Sequence, residues 1–424
     1  MKTRRTILYG TQNLFCAFAV ILALALALAT TACDDGSTGH THDYGTAWKS
    51  NATQHWHECS CGDKTDVANH IGDPCSVCSY SWTWTAVADS TIWEYQYTFD
   101  YDDETFTSMV KADINAIAYG NNKWVAVGDS GKIAYSADGA SWTAIADSTF
   151  PATYTSYSYT LTYSINGIAY GGGRFVAVGD NGKIAYSDNG VNWTAVADST
   201  FGSSSLLDSI NAIAYGNGRF VAGGGEGKMA YSDDGENWTA VGGLWSTYAI
   251  AYGNGRWVAG DYSGDMAYSD DGENWTVVTD STFDLLEGIN GIAYGNNKWV
   301  AVGDEGKMAT SSDGITWTAV ADNKFPATYT IGDDDDTFTF SYSINAAAYG
   351  NAGVAGGRFV AVGEQGKMAY SDNGVNWTAV VDITVWERTY SDGSKATSGI
   401  NGIAYGNGRF VAVSENGKMA YTDF

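Results

Sequence analysis

Residues able to ligate a transition metal are concentrated near the N-terminus of the chain. Residues 40–78 contain all five histidines and four of the six cysteines, and residues 79–424 contain neither type. The cysteines form one Cys-x-Cys pair and one Cys-x-x-Cys pair, Cys59 with Cys61 and Cys75 with Cys78. Four thiolates at these spacings can hold a structural zinc ion tetrahedrally, and a short segment without a core of its own gains stability from such an ion.

The clustered histidines extend the same chemistry. They can form a second zinc site or replace some of the thiolates, and they are His40, His42, His55, His57 and His70. The alternative is two disulfides, each joining a residue of the first cysteine pair to one of the second, because exported proteins meet an oxidising environment. Disulfides leave the five histidines unexplained, so we favour zinc in a structural rather than a catalytic role.

The segment before this cluster has the pattern of an export signal. Lys2, Arg4 and Arg5 precede an uncharged apolar run over residues 14–29, which is followed by Thr-Thr-Ala-Cys33. The run is shorter than the roughly 20 residues that span a bilayer, but it suits a signal-peptide core. We therefore expect the protein to be exported.

The remainder of the chain is built from one repeated unit. Each copy has four short β-like runs separated by Gly-rich or Asx-Gly turns, which are strong hairpin signals. The copies are marked by a Tyr-Gly pair whose tyrosines are Tyr119, Tyr170, Tyr215, Tyr252, Tyr294, Tyr349 and Tyr405. Two runs per copy are almost wholly apolar, so both faces of each sheet must be covered. Sheets of this kind in tandem predict an all-β fold, a seven-bladed β-propeller.

One strand of the repeat is displaced along the sequence. Six copies end in a Trp-bearing run, whereas the copy ending at Phe424 has none, and a matching run, WTWTAVADS, stands at residues 82–90. We expect the strand around Trp84 to complete the last blade and close the ring. The predicted organisation is a lipoprotein signal peptide at 1–32, a tether at 33–39, a Cys/His module at 40–78 and the propeller at 79–424.

Variation in length indicates where binding takes place. The four strands of a blade are named a to d from the channel outwards, and the spacing within a copy is nearly constant. The d–a connections vary, from the shortest, between Trp238 and Tyr248, to the longest, between Trp84 and Asn115. In a meander the d–a and b–c connections share one face. Variable loops on a rigid scaffold commonly carry binding sites, so we expect the site on that face.

Three motifs resemble known families. The c–d turns read Ser-x-Asp/Asn-Gly-x-x-Trp, as in Ser232 to Trp238, and resemble the Asp-box of sialidase-type repeats, a superfamily that includes photosystem II assembly-factor-like propellers. This resemblance implies a structural turn on the face opposite the site. Small residues before Cys33 resemble a bacterial lipobox, which implies lipidation of that cysteine and an envelope location. The Cys/His segment resembles a small module of bacterial surface proteins.

A sialidase activity is not favoured by the basic residues. A sialidase requires an arginine triad on the variable face, but the repeated cations all begin strand b, beside the a–b turn on the other face. They are Lys123, Arg174, Arg219, Arg256, Lys298, Arg358 and Arg409. Because the propeller has no His or Cys, it also cannot assemble a Ser-His-Asp or Cys-His nucleophile.

We therefore expect a surface-tethered, non-catalytic monomer that binds a glycan or a protein through its d–a loops. Aromatic platforms beside hydroxyls and carboxylates suit sugar stacking. The candidate ligand-binding residues are Trp93, Tyr97, Tyr154, Tyr157, Trp386 and Tyr390. The alternatives are an envelope assembly scaffold and a glycan-cleaving enzyme using Asp102, Asp103 or Glu104 with Glu387.

Two further expectations concern charge and polar side chains. The net charge of −26 excludes nucleic-acid binding and leaves the lipid as the contact with the membrane. An acidic run could bind Ca²⁺ or remain a solvated loop, and it comprises Asp333, Asp334, Asp335 and Asp336. A recurrent strand-a asparagine is expected to line the channel mouth as a blade-to-blade hydrogen bonder, at Asn115, Asn166, Asn211, Asn290, Asn345 and Asn401.

Overall fold

The structure is a computed structural model. It describes residues 49–50, 54–58, 64–69, 83–88, 91–101, 104–145, 150, 153–156, 159–197, 201, 209–279, 282–283, 287–321, 324–325, 328–332, 337–351, 357–389 and 393–422. The chain divides into two compact units, one holding Gln54–Ala68 and the other Asn69–Phe424.

The first unit contains a small antiparallel sheet. Its strands are Lys49–Ser50, Gln54–Glu58 and Lys64–Asn69. Trp56 is buried, its Nε1–H donates to Glu58 Oε2 at 2.7 Å, and the Lys64 ammonium lies 3.6 Å from the centre of its ring. A tryptophan between a carboxylate and a cation gives this small sheet a local packing centre.

Most of the expected metal ligands lie outside the described residues. These are His40, His42, His70, Cys59, Cys61, Cys75 and Cys78, and the expected lipidation site Cys33 lies outside them as well. His55 and His57 lie on the strand Gln54–Glu58. Within the described ranges, no group of three or more His, Cys, Asp or Glu residues could hold a metal ion. Zinc at 40–78 therefore stays a prediction.

The second unit is a seven-bladed β-propeller. In the described residues, each blade is a four-stranded antiparallel sheet, and strand a of each blade packs against strand a of the next around a closed ring. In the order a to d, the strands are Ile114–Gly120, Lys123–Gly128, Ile133–Ser136 and Thr143–Ala144 in blade 1; Ile165–Gly171, Arg174–Gly179, Ile184–Ser187 and Thr194–Ala195 in blade 2; Ile210–Gly216, Arg219–Gly224, Lys228–Ser232 and Thr239–Gly242 in blade 3; Thr247–Gly253, Arg256–Asp261, Met266–Ser269 and Thr276–Val277 in blade 4; Ile289–Gly295, Lys298–Gly303, Met308–Ser311 and Thr318–Ala319 in blade 5; Ile344–Gly350, Arg358–Gly363, Met368–Ser371 and Thr378–Ala379 in blade 6; and Ile400–Gly406, Arg409–Ser414, Met419–Thr422 and Trp84–Ala86 in blade 7.

The core lies between neighbouring blades. In one such cluster, Val125 and Val127 of blade 1 pack against Phe175 and the outer-strand Trp193 of blade 2. Equivalent clusters occur at the other junctions. Strand b is buried on both faces because each sheet lies between two others, which explains its nearly continuous apolar sequence.

The expected closure of the ring is confirmed. Trp84, Thr85 and Ala86 pair with Thr422, Tyr421 and Ala420 in antiparallel register. The N–H of Val87 also donates to the carbonyl of Met419 at 2.9 Å. Trp84 is buried in the cluster between blades 6 and 7, so this strand supplies both the outer edge of blade 7 and part of the core.

A second ring of contacts holds the inner strands together. The last residue of every strand a is a glycine, and the tyrosine ring of the next blade lies directly against it. A Cβ placed at Gly171 would be 1.9 Å from Cδ1 of Tyr215, a distance that real side chains do not reach. The same relation joins Gly120 to Tyr170, Gly216 to Tyr252, Gly253 to Tyr294, Gly295 to Tyr349, Gly350 to Tyr405 and Gly406 to Tyr119.

The face formed by the a–b and c–d turns, here called the turn face, is joined by the repeated cations. Arg174 of blade 2 donates to Asp188 Oδ1 of its own blade at 2.7 Å and to the carbonyl of Asp234 in blade 3 at 2.8 Å. Its guanidinium also lies 4.1 Å from the centre of the Tyr186 ring. Arg219 and Arg256 repeat this bridge. The prediction that these cations lie beside the a–b turns is confirmed.

The c–d turns are closed by their own side chains. In blade 3, Asp234 Oδ1 accepts the N–H groups of Glu236 and Asn237 at 2.8 Å, and Ser232 Oγ accepts that of Gly235. Gly235 has a φ of +76°, which a glycine adopts without strain. The turn is therefore a structural device on the turn face.

Among the described residues, the helical segments are short 3₁₀ turns. No helix in those ranges has the length and hydropathy needed to cross a membrane.

Gly171→Ala tests the ring of inner glycines. We expect it to lower the free energy of unfolding by about 1–3 kcal/mol, because the new methyl group overlaps the Tyr215 ring and the strands must separate. Gly242→Ala is the matched control, since nothing lies within 4 Å of its Cβ position, and we expect a change within about 0.5 kcal/mol. Equal effects of the two changes in chemical denaturation would contradict this account.

Asp138→Asn tests the electrostatics of the c–d turn. The N–H groups of Ser141 and Ala140 hold the pKa of Asp138 at about 2, below its ordinary value, so its stabilisation is present above about pH 4 and is lost as the pH falls towards 2. Asn189 and Asn373 occupy the same position with the same bonds, so the variant should fold. In thermal unfolding, the melting temperature of the variant should fall less than that of the wild type as the pH is lowered from 4 to 2. Parallel curves would show that the charge contributes nothing.

Candidate functional site

A cavity of about 890 Å³ lies at the channel mouth, where the a strands begin. Its lining combines residues preceding strand a, such as Ser164 and Ser209, with residues of the b–c turns, such as Asp129 and Asp180. The d–a connections and the b–c turns therefore share this face, here called the mouth face. The structure agrees with the sequence prediction that the variable connections surround one end of the channel.

A ring of asparagine amides connects the blades around the mouth. The Nδ2 group of Asn115 donates to the carbonyl of Ile165 in the next blade at 3.2 Å, and Asn401 donates to Ile114 across the closure at 3.2 Å. The same bond is made by Asn166, Asn211, Asn290 and Asn345. The prediction that these residues bond from blade to blade at the mouth is confirmed.

Carboxylates at the b–c turns support the asparagine ring. Asp129 Oδ1 accepts from Asn115 Nδ2 at 3.0 Å and from Ser164 Oγ of the next blade at 2.9 Å. Asp180 and Asp304 accept from Asn166 and Asn290 in the same manner, and Glu364 and Glu415 occupy the equivalent position in blades 6 and 7. Amides of six blades thus surround the mouth, and a carboxylate stands at this turn position in five blades, whereas blade 3 has Gly225 there.

These carboxylates are close enough to affect one another. Burial raises the pKa of Glu364, and the charges of Asp304 and Glu415 in the neighbouring blades raise it further. Burial likewise raises the pKa of Asp113, with added repulsion from Asp129 and Glu415. Ionisation of Glu364 and of Asp113 is therefore opposed by desolvation and by like charge.

Blade 4 departs from the ring. Tyr248 stands where the other blades have asparagine, and it is 46% exposed at the cavity. Asp261 comes one position earlier than the other turn carboxylates and is buried. Its Oδ1 accepts the N–H groups of Ser263 and Asp265, each at 2.9 Å. The turn of blade 4 is consequently held by one buried carboxylate rather than by an asparagine and a serine.

Hairpins are distributed unevenly around the mouth face. In the described residues they occupy the connections from blade 5 through blades 6 and 7 to blades 1 and 2. Their strands are Glu94–Tyr101 with Glu104–Lys111, Thr153–Ser156 with Tyr159–Thr162, Thr328–Gly332 with Thr337–Ser341, and Glu387–Thr389 with Lys395–Thr397. The connection from blade 3 to blade 4 is described throughout and has no hairpin. Of the connections that the structure describes throughout or as hairpins, the one between blades 3 and 4 is the shortest.

The prediction that Trp93 and Trp386 are exposed ligand platforms is wrong. Their side chains are 2% and 0% exposed. Each lies in a short 3₁₀ turn at the start of a d–a connection and packs against the b–c turn of the preceding blade, where a Cβ at Gly417 or Gly366 would meet it. They fill the apolar end of a blade junction. The same place is occupied in other connections by Phe150, Phe201, Leu244, Phe283 and Phe325.

The other candidate binding residues are tyrosines of the hairpins. The backbone of Tyr97 pairs with Ser108, and that of Tyr154 pairs with Leu161. Tyr157 and Tyr390 lie outside the described residues. Contact of these four tyrosines with a ligand stays a prediction.

The acidic residues of the loops are only partly described. Asp102 and Asp103 lie outside the described residues, as do Asp333, Asp334, Asp335 and Asp336. Glu104 begins the second strand of its hairpin, and the carboxylate of Glu387 accepts from Lys395 Nζ at 2.9 Å. The structure does not bring these residues together as a described carboxylate pair, and Ca²⁺ at the acidic run stays a prediction.

Sequence reasoning missed the residues that give the mouth its chemistry. The turn carboxylates recur directly after the last residue of strand b, which is Gly in four of these blades and Ser414 in blade 7, in step with the asparagines, and that shared period was an available signal. Tyr248 was visible as a break in the asparagine series. Trp245 and Tyr262 carried no repeat signal, because they occur in a single blade.

Comparison with known proteins identifies the fold. The structure is similar to YCF48 from Cyanidioschyzon merolae, with a TM-score of 0.52 and 14% identity over 80% of this chain and 98% of that one. It is also similar to a structure of YCF48 bound to D1 peptide, with a TM-score of 0.51 and 14% identity over 74% of this chain and 94% of that one. No protein-family model matches the chain, and no curated protein matches it. At this identity the likeness establishes the propeller fold alone.

Asp261→Asn tests the buried carboxylate of blade 4. Burial raises the pKa of Asp261 above its ordinary value, so the unfolded chain ionises first and the folded state loses stability as the pH rises above about 4. The amide keeps an acceptor for Ser263 and Asp265 without a charge. Relative to the wild type, the variant should therefore gain stability between pH 4 and 7 in calorimetry. A difference that stays constant with pH would contradict the raised pKa.

Proposed function

We propose that this chain is a non-catalytic propeller that binds a segment of a partner protein at the channel mouth. The observation that carries the proposal is the 890 Å³ cavity, which lies on the face with the variable connections and is lined in part by Trp245 and Ser246 of the short connection between blades 3 and 4. A preformed concave site on a rigid ring suits recognition of an extended segment. The proposed role is that of a binding or assembly scaffold.

Two observations favour a protein segment over a glycan. The two tryptophans that would have stacked on sugar rings are buried in blade junctions. In addition, a propeller of similar fold is described as bound to a D1 peptide. Amide and hydroxyl groups around the cavity supply donors and acceptors for a peptide backbone.

The setting of this activity is part of the proposal. Export through residues 1–32 and lipidation at Cys33 would hold the propeller at a bacterial envelope, and the Cys/His module would lie between the anchor and the ring. Radiolabelled palmitate incorporation into the wild type and into Cys33→Ser would test the anchor independently of binding.

A blocking variant at the mouth tests the proposed function. The full chain would be screened against a random library of displayed 12-residue peptides and, in parallel, against a glycan array. We expect enrichment of peptides and loss of their binding in Ser246→Arg, because a long side chain at this lining position fills the cavity. Fluorescence anisotropy with the enriched peptides would measure the loss, which we expect to exceed tenfold.

The matched control lies on the turn face. Val375 is exposed in a c–d turn of blade 6, so Val375→Ala should retain affinity within twofold. Glycan retention without peptide enrichment, or peptide binding that survives Ser246→Arg, would overturn the proposal.

A further inference from the structure

Among the side chains that the structure describes, the exposed aromatic ones are clustered at blade 4. Among residues whose side chains the structure describes, three aromatic residues are exposed: Trp245 at 72%, Tyr262 at 51% and Tyr248 at 46%. Trp245 lies in the connection into blade 4, Tyr248 near the start of its strand a, and Tyr262 in its b–c turn. Trp245 and Tyr248 line the cavity at the mouth. Exposed aromatic surface at a cavity is a mark of a binding site.

The segment that carries Trp245 is anchored on both sides. Leu244 is buried in the junction between blades 3 and 4. The N–H of Gly227 donates to the carbonyl of Trp245 at 2.6 Å, and that of Tyr262 donates to the carbonyl of Ser246 at 3.2 Å. These bonds join the connection to the b–c turns of both neighbouring blades. The indole is consequently presented to solvent by a hydrogen-bonded backbone, and Tyr262 is bonded through its N–H to the residue that follows Trp245.

The charge around these aromatic groups is negative. The cavity lining contains the carboxyl groups of Asp129, Asp180 and Glu226, and it contains no Lys or Arg. Lys228 lies 3.8 Å from Glu226 at the outer side of the same turn, and both side chains remain partly exposed. The Trp245 indole and these three carboxylates line the same cavity.

We propose that the aromatic residues of blade 4 form a subsite for an arginine or lysine side chain of the bound protein segment. The inference rests on the proposed function and specifies its ligand as basic. The guanidinium or ammonium group lies over the Trp245 indole, and the carboxylates of the mouth supply the attraction. Because no hairpin covers the rim between blades 3 and 4, the segment enters from this side.

Tyr248 gives the subsite its position in the ring. In the other six blades an asparagine at this place bonds to the next blade, whereas the exposed tyrosine leaves the junction of blades 4 and 5 without that amide bond. The aromatic side chain offers a second apolar face to the methylene groups of a long cation. Blade 4 therefore differs from the other blades beside the short connection that carries Trp245.

Labelled peptides of nine residues provide the test. Glycine alternates in them with arginine, lysine, glutamate or the neutral isostere norleucine, and binding to the full chain is measured by anisotropy at physiological salt. We expect the arginine and lysine peptides to bind at least tenfold more tightly than the others. Trp245→Ala and Tyr248→Asn should each weaken the basic peptides about fivefold, as expected for one cation–π contact of about 1 kcal/mol.

Matched controls separate the subsite from general attraction to an acidic protein. Glu236→Gln removes a charge on the turn face, and Val277→Ala shortens an exposed side chain of the outer strand of blade 4. Both should leave affinity within twofold. Equal losses in Glu236→Gln and Trp245→Ala would show nonspecific attraction and overturn the inference.

The outcome also distinguishes the inference from the proposed function. If library peptides bind, lose affinity in Ser246→Arg and carry no excess of Arg or Lys, the mouth binds protein segments but the basic subsite is wrong. If basic peptides bind through Trp245 and no library peptide requires the mouth, the proposed function fails while the cation subsite stands. If neither the library peptides nor the basic peptides bind through the mouth, both the proposed function and the basic subsite are wrong.

Discussion

The structure depends on the approach of each inner strand to the next at a glycine. A tyrosine ring occupies the space where a side chain would stand, and the relation repeats seven times around the described ring. Each tyrosine also packs on the aromatic residue that follows in its own blade, with ring centres 4.6–4.9 Å apart. The contact between the glycine of one blade and the tyrosine ring of the next sets the distance between the blades. The width of the channel, and with it the size of the mouth, follows from that distance.

The two faces of the ring differ in how uniform their contacts are. On the turn face, side chains of one blade bond to the backbone of the next through arginine bridges, and every c–d turn is closed in the same way. On the mouth face, the amide ring performs the same joining task nearest the channel, and the connections outside it differ from blade to blade. The uniform scaffold therefore accommodates loops that differ from blade to blade. The replacement of asparagine by Tyr248 in blade 4 removes the amide bond at one junction only.

Local sequence patterns predicted the fold well, because a turn glycine or an apolar run determines the backbone structure of the few residues around it. The blades, the closing strand and the asparagine bonds all followed from repetition. The exposure of Trp93 and Trp386 was predicted wrongly, since the composition of a loop does not show whether an aromatic side chain faces the solvent or the core. Trp93 and Trp386 stand where Phe150 and Phe201 stand in other connections, and comparison of those connections would have placed them in the core. The exposure of Trp245 could not be predicted from the sequence, because it depends on the positions of the neighbouring loops.

The pairing of residues 84–86 with residues 420–422 has a mechanical consequence. The two ends of the described propeller, residues 84–86 and 420–422, therefore lie side by side in one blade. Tension transmitted along the preceding segment acts first on this three-residue strand, which is held by few hydrogen bonds and by the Trp84 side chain. Its release would expose the edge of one sheet while the inner strands keep their contacts around the channel. The outer strand of blade 7 can therefore separate while the contacts between the inner strands remain.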